Sequence, residues 1–468
     1  MKRRNFGLMA ASSAIALGAG LGGPRRASAA VAAAQADMLK TVLTPIGGER
    51  AGNADGSIPA WTGGLTQPPA GWTPDLPMPD LFANDTKILS IDASNMAQYA
   101  DRLSEGVMAM MSKYPGFRID VYPTHRTAAA PQWVYDNIYQ NALNAQPEAG
   151  GARFGFTGAY GGVPFPIPNT SDPYEAGAEI VWNHCSRWVC EHFIYRPAVY
   201  LMSSGQLTLT AEYKLSAIYD YYQKSGSLAS YSGWFYRTDY FGVAPPADAG
   251  EEIVSYQSTN PYSLPNVGWQ LLNGQGRVRR NPDLQYDVPN SQTQGTINLD
   301  ESFLVYGALN EFDWKLVGKK ELYVPYNNNK INNITRADCG PNFINPDLIR
   351  WELHRVWIVE ATLHPGQRNV IPHRRFYFDE DTWYACVSDE WDAQGNFWKA
   401  SMGFQINRPD LPGTIFWNYV IYNLQSQNYV HELGFDVDAA PESRVIDFIT
   451  VPSGNLFNPQ AMAAQAQY

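Results

Sequence analysis

The sequence predicts an α+β fold, mainly β: a large curved antiparallel sheet, an incomplete barrel, with a few covering helices. Three observations predict it. From Gly205 onward, stretch after stretch alternates apolar and polar residues and is rich in β-branched and aromatic side chains. The links between them, such as HPGQ, DEDT, DAQGN and QSQ, are short and turn-forming, and short links demand antiparallel neighbours because parallel pairs need long crossovers. Helical spacing is confined to three segments before Gly205.

Residues 1–29 begin with Lys2, Arg3 and Arg4, continue through a short apolar run and end at Ala27-Ser28-Ala29, the parts of an export signal cleaved near Ala29. Arg3-Arg4-Asn5-Phe6 fits the twin-arginine pattern, and Arg25-Arg26 favours that route over general secretion. Without these residues the chain carries 29 Lys and Arg against 45 Asp and Glu, a net charge of −16. That balance argues against a nucleic-acid partner and against docking on anionic lipid.

Residues 30–90 read as an extended Gly/Pro/Trp-rich arm; WTGGLTQPPAGWTPDLPMPD alone has five prolines. Within ERAGNADGSIPAWTGG, Asn53, Asp55 and Gly56 mimic a calcium loop, but Ala51 and Thr62 stand where its outer ligands belong. A turn closed by Asn and Asp side chains is the better account. Residues 91–204 are expected to be mainly helical. One helix runs through SNMAQYADRLSEGVMAMMSKY with Ser94 as cap and Met96, Tyr99, Leu103, Val107, Met110 and Met111 on one face. A second covers PQWVYDNIYQNALNA, and a third extends from Ser171 or Asp172 to about Cys190. Residues 205–455 form the antiparallel β domain and 456–468 a flexible tail, with 30–455 one folded unit.

Four cysteines in an exported chain read as disulfides, Cys185 with Cys190 and Cys339 with Cys386 being the favoured pairing. His184, Cys185, Cys190 and His192 are metal-ligand types, but ligands this close cannot readily converge from one helix end. No nucleophile elbow, P-loop lysine or H-E-x-x-H motif is present. Glu251-Glu252 and Asp379-Glu380-Asp381 read as solvated charge. No enzyme activity, cofactor or metal is expected.

The positive signal is aromatic. Strand alternation puts Trp351 and Trp357, Trp383 and Trp391, and Trp398 on shared faces, with Trp417 on the next strand. Six such rings at roughly 150 Å² each amount to about 20 kcal/mol of burial, so they will not face water. Three helices are too few to cover the whole sheet. Part of its face is therefore left for a lipophilic guest, with these six tryptophans as candidate lining and Ala361 and Ala385 as small positions beside them.

ERAGNADGSIPAWTGG, YGGVPFPIP, IVWNH, FDWKLVGKKELYVPYNN, NPDLIRWELHRVWIVEATLHPGQR and RRFYFDEDTW together resemble a family of bacterial exported proteins, domain of unknown function 1329. The resemblance implies a fold like that of the periplasmic lipoprotein carriers LolA and LolB. It implies a periplasmic carrier or chaperone for a hydrophobic molecule, lipid or sterol-like, between inner and outer membranes. Its expected partners are an inner-membrane exporter and an outer-membrane protein. The alternative expectation is a carbohydrate-binding or carbohydrate-active protein using Trp and Tyr platforms.

Overall fold

The computed structural model describes residues 31–272, 276–281 and 286–465; the export signal expected in residues 1–29 lies outside them. Five short strands come first: β1 (Leu89–Ile91), β2 (Ile119–Val121), β3 (Gln146–Pro147), β4 (Phe156–Thr157) and β5 (His192–Tyr195). One meander follows through β6 (Pro197–Ser203), β7 (Gln206–Ile218), β8 (Trp234–Ala244), β9 (Glu252–Ser258), β10 (Val267–Leu271) and β11 (Val278–Asn281). A second runs through β12 (Phe312–Pro325), β13 (Arg350–Leu363), β14 (His373–Asp379), β15 (Ala385–Trp391), β16 (Phe397–Arg408), β17 (Gly413–Asn423) and β18 (Asn428–Phe435). Pairing of β18 with β6 fuses the two meanders into one sheet of 16 strands, with β11 at one end and, at the other, β12 and the β1–β2 pair both set against β13. The sheet does not close. It is mixed rather than wholly antiparallel, because β2 runs parallel to the start of β13 at Arg350 and Trp351.

Among the described residues five helices accompany it: α1 (Ala33–Ala36), α2 (Glu105–Lys113), α3 (Gln132–Asn144), α4 (Pro173–Cys185) and α5 (Pro459–Gln465). The single helix expected over 94–114 is divided. Met96–Arg102 is a 3-10 turn, Leu103 is extended, and Ser104 caps α2 by accepting from the Val107 amide. The local reason is that Ser104 offers a better cap than the interior of a helix has use for. Asp172 caps α4 through the Tyr174 and Glu175 amides, and α4 stops at Cys185 rather than Cys190. The continuous meander starts at Pro197, preceded by β5 at His192–Tyr195, both inside the segment expected to be helical. Residues 459–465, expected as part of a loose tail, form α5, and Met462 is buried against Tyr256, Trp269 and Val278.

Two cores lie on either side of the sheet. The inner one packs Val134, Ile138 and Ala142 of α3 and Ile180 and Val181 of α4 against Val359, Phe376, Tyr419 and Val430. The outer one packs Val107, Met110 and Met111 of α2 against Val387, Met402, Val420 and Tyr422. Both faces of the second meander are therefore covered. Helix α4 also lies across edge strand β12. A side chain at Gly177 would place its Cβ 2.4 Å from the Trp314 carbonyl oxygen, so only glycine lets helix and strand backbones meet.

Replacement of Gly177 by alanine should lower stability by about 1–3 kcal/mol in urea unfolding, although alanine favours a helix by about 1 kcal/mol. Unchanged or raised stability would show that α4 is not seated on β12 in this way.

Candidate functional site

On β8 and β9, Tyr236, Thr238 and Tyr240 lie beside Gln257, Ser255 and Ile253 across the ladder. Strand alternation turns Val254 and Tyr256 the other way, against Met462. Facing this wall is the loop between β11 and β12, which contributes Val288, Leu299, Phe303 and Tyr306, while Tyr419 and Leu433 close the third side. Together they bound a cleft of about 390 Å³, within the roughly 300–1,000 Å³ of small-molecule sites. A smaller cavity of about 40 Å³ adjoins it, walled by Phe193, Leu215, Tyr219, Phe235 and Val305. The two share Tyr236, Tyr240, Phe303, Tyr306 and Leu433.

The roof loop is held down by charge. Arg374 reaches Asp300 at 2.8 Å, Lys399 reaches Glu301 at 2.5 Å, and Asn369 Nδ2 donates to Asp300 at 2.9 Å. Asn290 Nδ2 and the Tyr419 hydroxyl donate to the two oxygens of Glu432 at 3.1 and 2.7 Å. Phe303 and Leu304 hold φ of 54° and 71° in succession, a left-handed stretch that costs non-glycine residues of order 1 kcal/mol or more each. Carboxylates outnumber cations here: Asp300, Glu301 and Glu390 surround Arg374 and Lys399, and Glu432 lies near Glu301. Burial, with Glu301 beside it, pushes Glu390 up to about 8, and burial pushes Glu432 up to about 7.

A second buried charge network lies around the turn at Asp379-Glu380-Asp381, which the sequence had placed in water. All three are at most 2% exposed. Arg126 grips Asp381 with two bonds of 2.7 and 2.6 Å and donates to the backbone carbonyl of Glu49 at 2.6 Å. Glu380 meets Arg355 at 3.2 Å and Lys319, and accepts from the Glu49 amide. His354 lies 3.1 Å from Glu352 and stacks on Tyr326 at 3.8 Å. Burial alone would lower His354; Glu352 and Asp379 outweigh it and raise it. His354, Asp379 and Asp381 bring ligand-type atoms within 4.8 Å of one another. Both Asp381 oxygens are taken by Arg126, however, and Asp379 Oδ2 by Thr382, so the set is built as an ion-pair network. Glu252, the other carboxylate expected in solvent, is also buried, beside Asp239.

The stretch that mimics a calcium loop is a turn: Asp55 Oδ1 accepts from the Ser57 amide, Asn53 Oδ1 from the Ile58 amide, and Gly56 has φ 78°. Its upstream residues Gly48 and Glu49 cover the 379–381 turn. A Cβ at Gly48 would stand 2.6 Å from Asp381 Oδ1.

The tryptophans are dispersed. Trp351 is buried in the outer core. Trp383 is fully buried in the inner core with its indole donating to the Ile46 carbonyl at 2.9 Å, and Trp357 lies parallel to it at 6.4 Å. Half-buried Trp391 stacks on His373 at 4.5 Å, and Lys399 Nζ lies 4.7 Å from the Trp398 ring. None of these five lines the cleft; the Trp417 side chain lies outside the described residues. Ala361 and Ala385 are fully buried in the inner core. The cleft's aromatic residues are tyrosines and Phe303. Their signal was present in SGWFYRTDYFGV and EIVSYQS, where small polar residues share a strand face with the rings.

The expected disulfides are not formed; all four cysteines are free. Cys386 Sγ accepts from Gln405 Nε2 at 3.1 Å and Cys339 lies near the Thr335 carbonyl at 3.7 Å. Cys185 ends α4 beside the inner cavity and Cys190 is packed in the inner core, where burial pushes both thiols up and keeps them protonated. His184 is also structural, its Nδ1 accepting from the Ala385 amide at 3.0 Å. Among the described residues no helix is long and apolar enough to cross a membrane.

Residues 90–463 match a family described as "Protein of unknown function (DUF1329)". The chain is 34% identical over 449 residues to "Uncharacterized protein PA3922" of Pseudomonas aeruginosa, covering 93% of this chain and 94% of that one. Among solved structures, a DUF1329 family protein from Desulfovibrio piger aligns at 11% identity and TM-score 0.41, over 62% of this chain and 99% of its own. A putative outer membrane lipoprotein-sorting protein domain from Vibrio parahaemolyticus aligns at 12% and 0.42, over 62% and 99%. A LolA superfamily protein from Nitrosomonas europaea aligns at 9% and 0.32, over 58% and 93%.

The buried carboxyls give stability a pH dependence of definite sign. Glu390 and Glu432 hold protons more tightly folded than unfolded, so their contribution is complete below the ordinary carboxylate range and is lost as pH rises through about 7 to 8. Asp389, pushed up to about 7, acts in the same sense. Thermal unfolding midpoints should therefore fall as pH rises from about 5 to about 8, and Glu390→Gln should flatten the slope. A midpoint that rises with pH in that window would contradict the burial of these groups.

Proposed function

The chain belongs to the DUF1329 family, and from that premise we propose that it is an exported carrier or chaperone that shelters a hydrophobic molecule between inner and outer membranes. The observation that carries the proposal is the cleft between β8–β9 and the 286–307 loop, with its aromatic wall and adjoining apolar cavity. The sheet forms one wall and a pinned loop the other, so cargo would lie between them. Work alongside an inner-membrane exporter and an outer-membrane protein belongs to the same proposal; the signal read in residues 1–29 supports the address. A carrier makes and breaks no bonds, and no side chain is assigned a chemical step.

A wider depression of about 460 Å³ lies between residues 39–50 and α3, with Tyr135, Tyr139, Asp136 and Gln140 in its wall. It does not offer a sugar an open platform, because Lys40 Nζ sits 3.6 Å from the centre of the Tyr139 ring and the Tyr139 hydroxyl donates to Asp37.

A lipophilic fluorescent probe such as N-phenyl-1-naphthylamine should bind saturably, with a negative heat-capacity change as apolar area is buried. Val288→Trp, at the half-buried mouth of the cleft, should weaken binding about tenfold or more while leaving the unfolding midpoint within a few degrees. Absence of saturable binding to the unaltered chain would sink the carrier proposal.

A further inference from the structure

Gln257 stands out in the cleft wall. It is 8% exposed, and its side chain lines both the main cleft and a small recess of about 20 Å³ behind it, beside Trp182, Phe235 and Tyr306. Its Nε2 donates to Ser255 Oγ at 3.2 Å, and that hydroxyl is already paired with Thr238 Oγ1 at 2.6 Å. That contact uses the donor end of the amide. Its Oε1 is buried and has no hydrogen-bond partner among the described residues. Native proteins rarely leave such an acceptor unsatisfied, because desolvating it without a partner is costly.

We propose that the cleft selects a neutral amphiphile whose polar end carries a hydrogen-bond donor, an alcohol or phenol, and that this hydroxyl pairs with Gln257 Oε1. The inference rests on the carrier proposal and adds the chemistry of the cargo. The hydroxyl end enters first, since Gln257 lies where the cleft meets the small recess, while the exposed Arg279 and half-buried Asn281 stand on the outer strand. An anionic head group fits less well at that depth. The cleft wall carries a carboxylate of its own, Glu432, whose two oxygens are already engaged. The cation lining the cleft is the exposed Arg279, which donates to Gln270. Deeper, Arg187 lies 4.2 Å from the Tyr384 ring and donates to the His184 carbonyl. A hydroxyl supplies one donor and no charge, which is what a lone buried amide oxygen can accept.

The test compares three probes of one chain length, 1-dodecanol, its methyl ether and dodecanoate, by calorimetric titration of the full exported chain. The alcohol should bind about tenfold tighter than the ether, because only the alcohol satisfies the buried acceptor. In Gln257→Leu the alcohol should lose that advantage while the ether binds at least as well as before. Should this variant fail to fold, the alcohol and ether comparison on the unaltered chain decides alone. Equal binding of alcohol and ether would overturn the proposal and leave the carrier standing. Tightest binding of dodecanoate would also overturn it and move the head group to an arginine. Binding of none of the three would remove the carrier proposal itself and this inference with it.

Discussion

Much of this architecture depends on one buried contact, the paired hydrogen bonds from Arg126 to Asp381. Arg126 follows β2, Asp381 sits in the turn between β14 and β15, and the same guanidinium also holds the carbonyl of Glu49. A charge with so little water around it would be strongly destabilising alone; it is tolerated because every face of it meets oxygen. Losing either partner would leave the other buried and uncompensated, which typically costs about 3–5 kcal/mol. The arm at residues 44–61 has almost no regular structure, so such contacts, together with Trp383 reaching the Ile46 carbonyl, keep it on the sheet. Tight glycines complete the fit: a Cβ at Gly47 would stand 2.2 Å from the Pro166 carbonyl oxygen.

The two meanders are covered unequally, and this sets the position of the cleft. Helices α2, α3 and α4 and the arm invest the second meander on both faces. The inner face of β8 and β9 meets mainly the 286–307 loop, with the end of α4 reaching its Tyr236 and Gln257 corner. That loop buries Ile297, Leu304 and Val305 in the inner core, and it is also fastened by ions: Asp300 and Glu301 reach across to Arg374 and Lys399 on β14 and β16. Such pairs give direction more than net stability. They fix where the roof lies while leaving space beneath it, which a fully apolar loop would tend to collapse.

How far the sequence could be read varied with the kind of interaction involved. Local alternation was reliable: RWELHRVWIVEATL is β13 from first residue to last, and GEEIVSYQS, VGWQLL and GRVRR hold β9, β10 and β11. Turn chemistry was equally legible at Asn53-Asp55-Gly56. Burial of charge was not, because the partners of Asp379-Glu380-Asp381 lie far away in the chain, at Glu49, Arg126, Lys319 and Arg355. A run of acids in a turn looks solvated until something distant covers it. The tryptophans misdirected attention for a related reason. Alternation identifies residues that share a face, but it does not say whether a helix or a ligand will occupy that face, and over Trp351 and Trp383 it was the protein itself. The cysteines follow the same logic: proximity in sequence at Cys185 and Cys190 did not orient the two thiols toward each other.

The seam between β18 and β6 bears on the order in which the protein can be finished. Tyr200 pairs with His431 there, so the last strand of the sheet must return to the first long one. Closing so long a loop is entropically demanding and slow. The cleft draws Tyr236, Ser255 and Gln257 from one side of this seam and Tyr419, Glu432 and Leu433 from the other. A nascent chain can thus complete the first meander without possessing the cleft. The cleft becomes whole only when its final strand is in place, so a partly synthesised chain has no finished cleft.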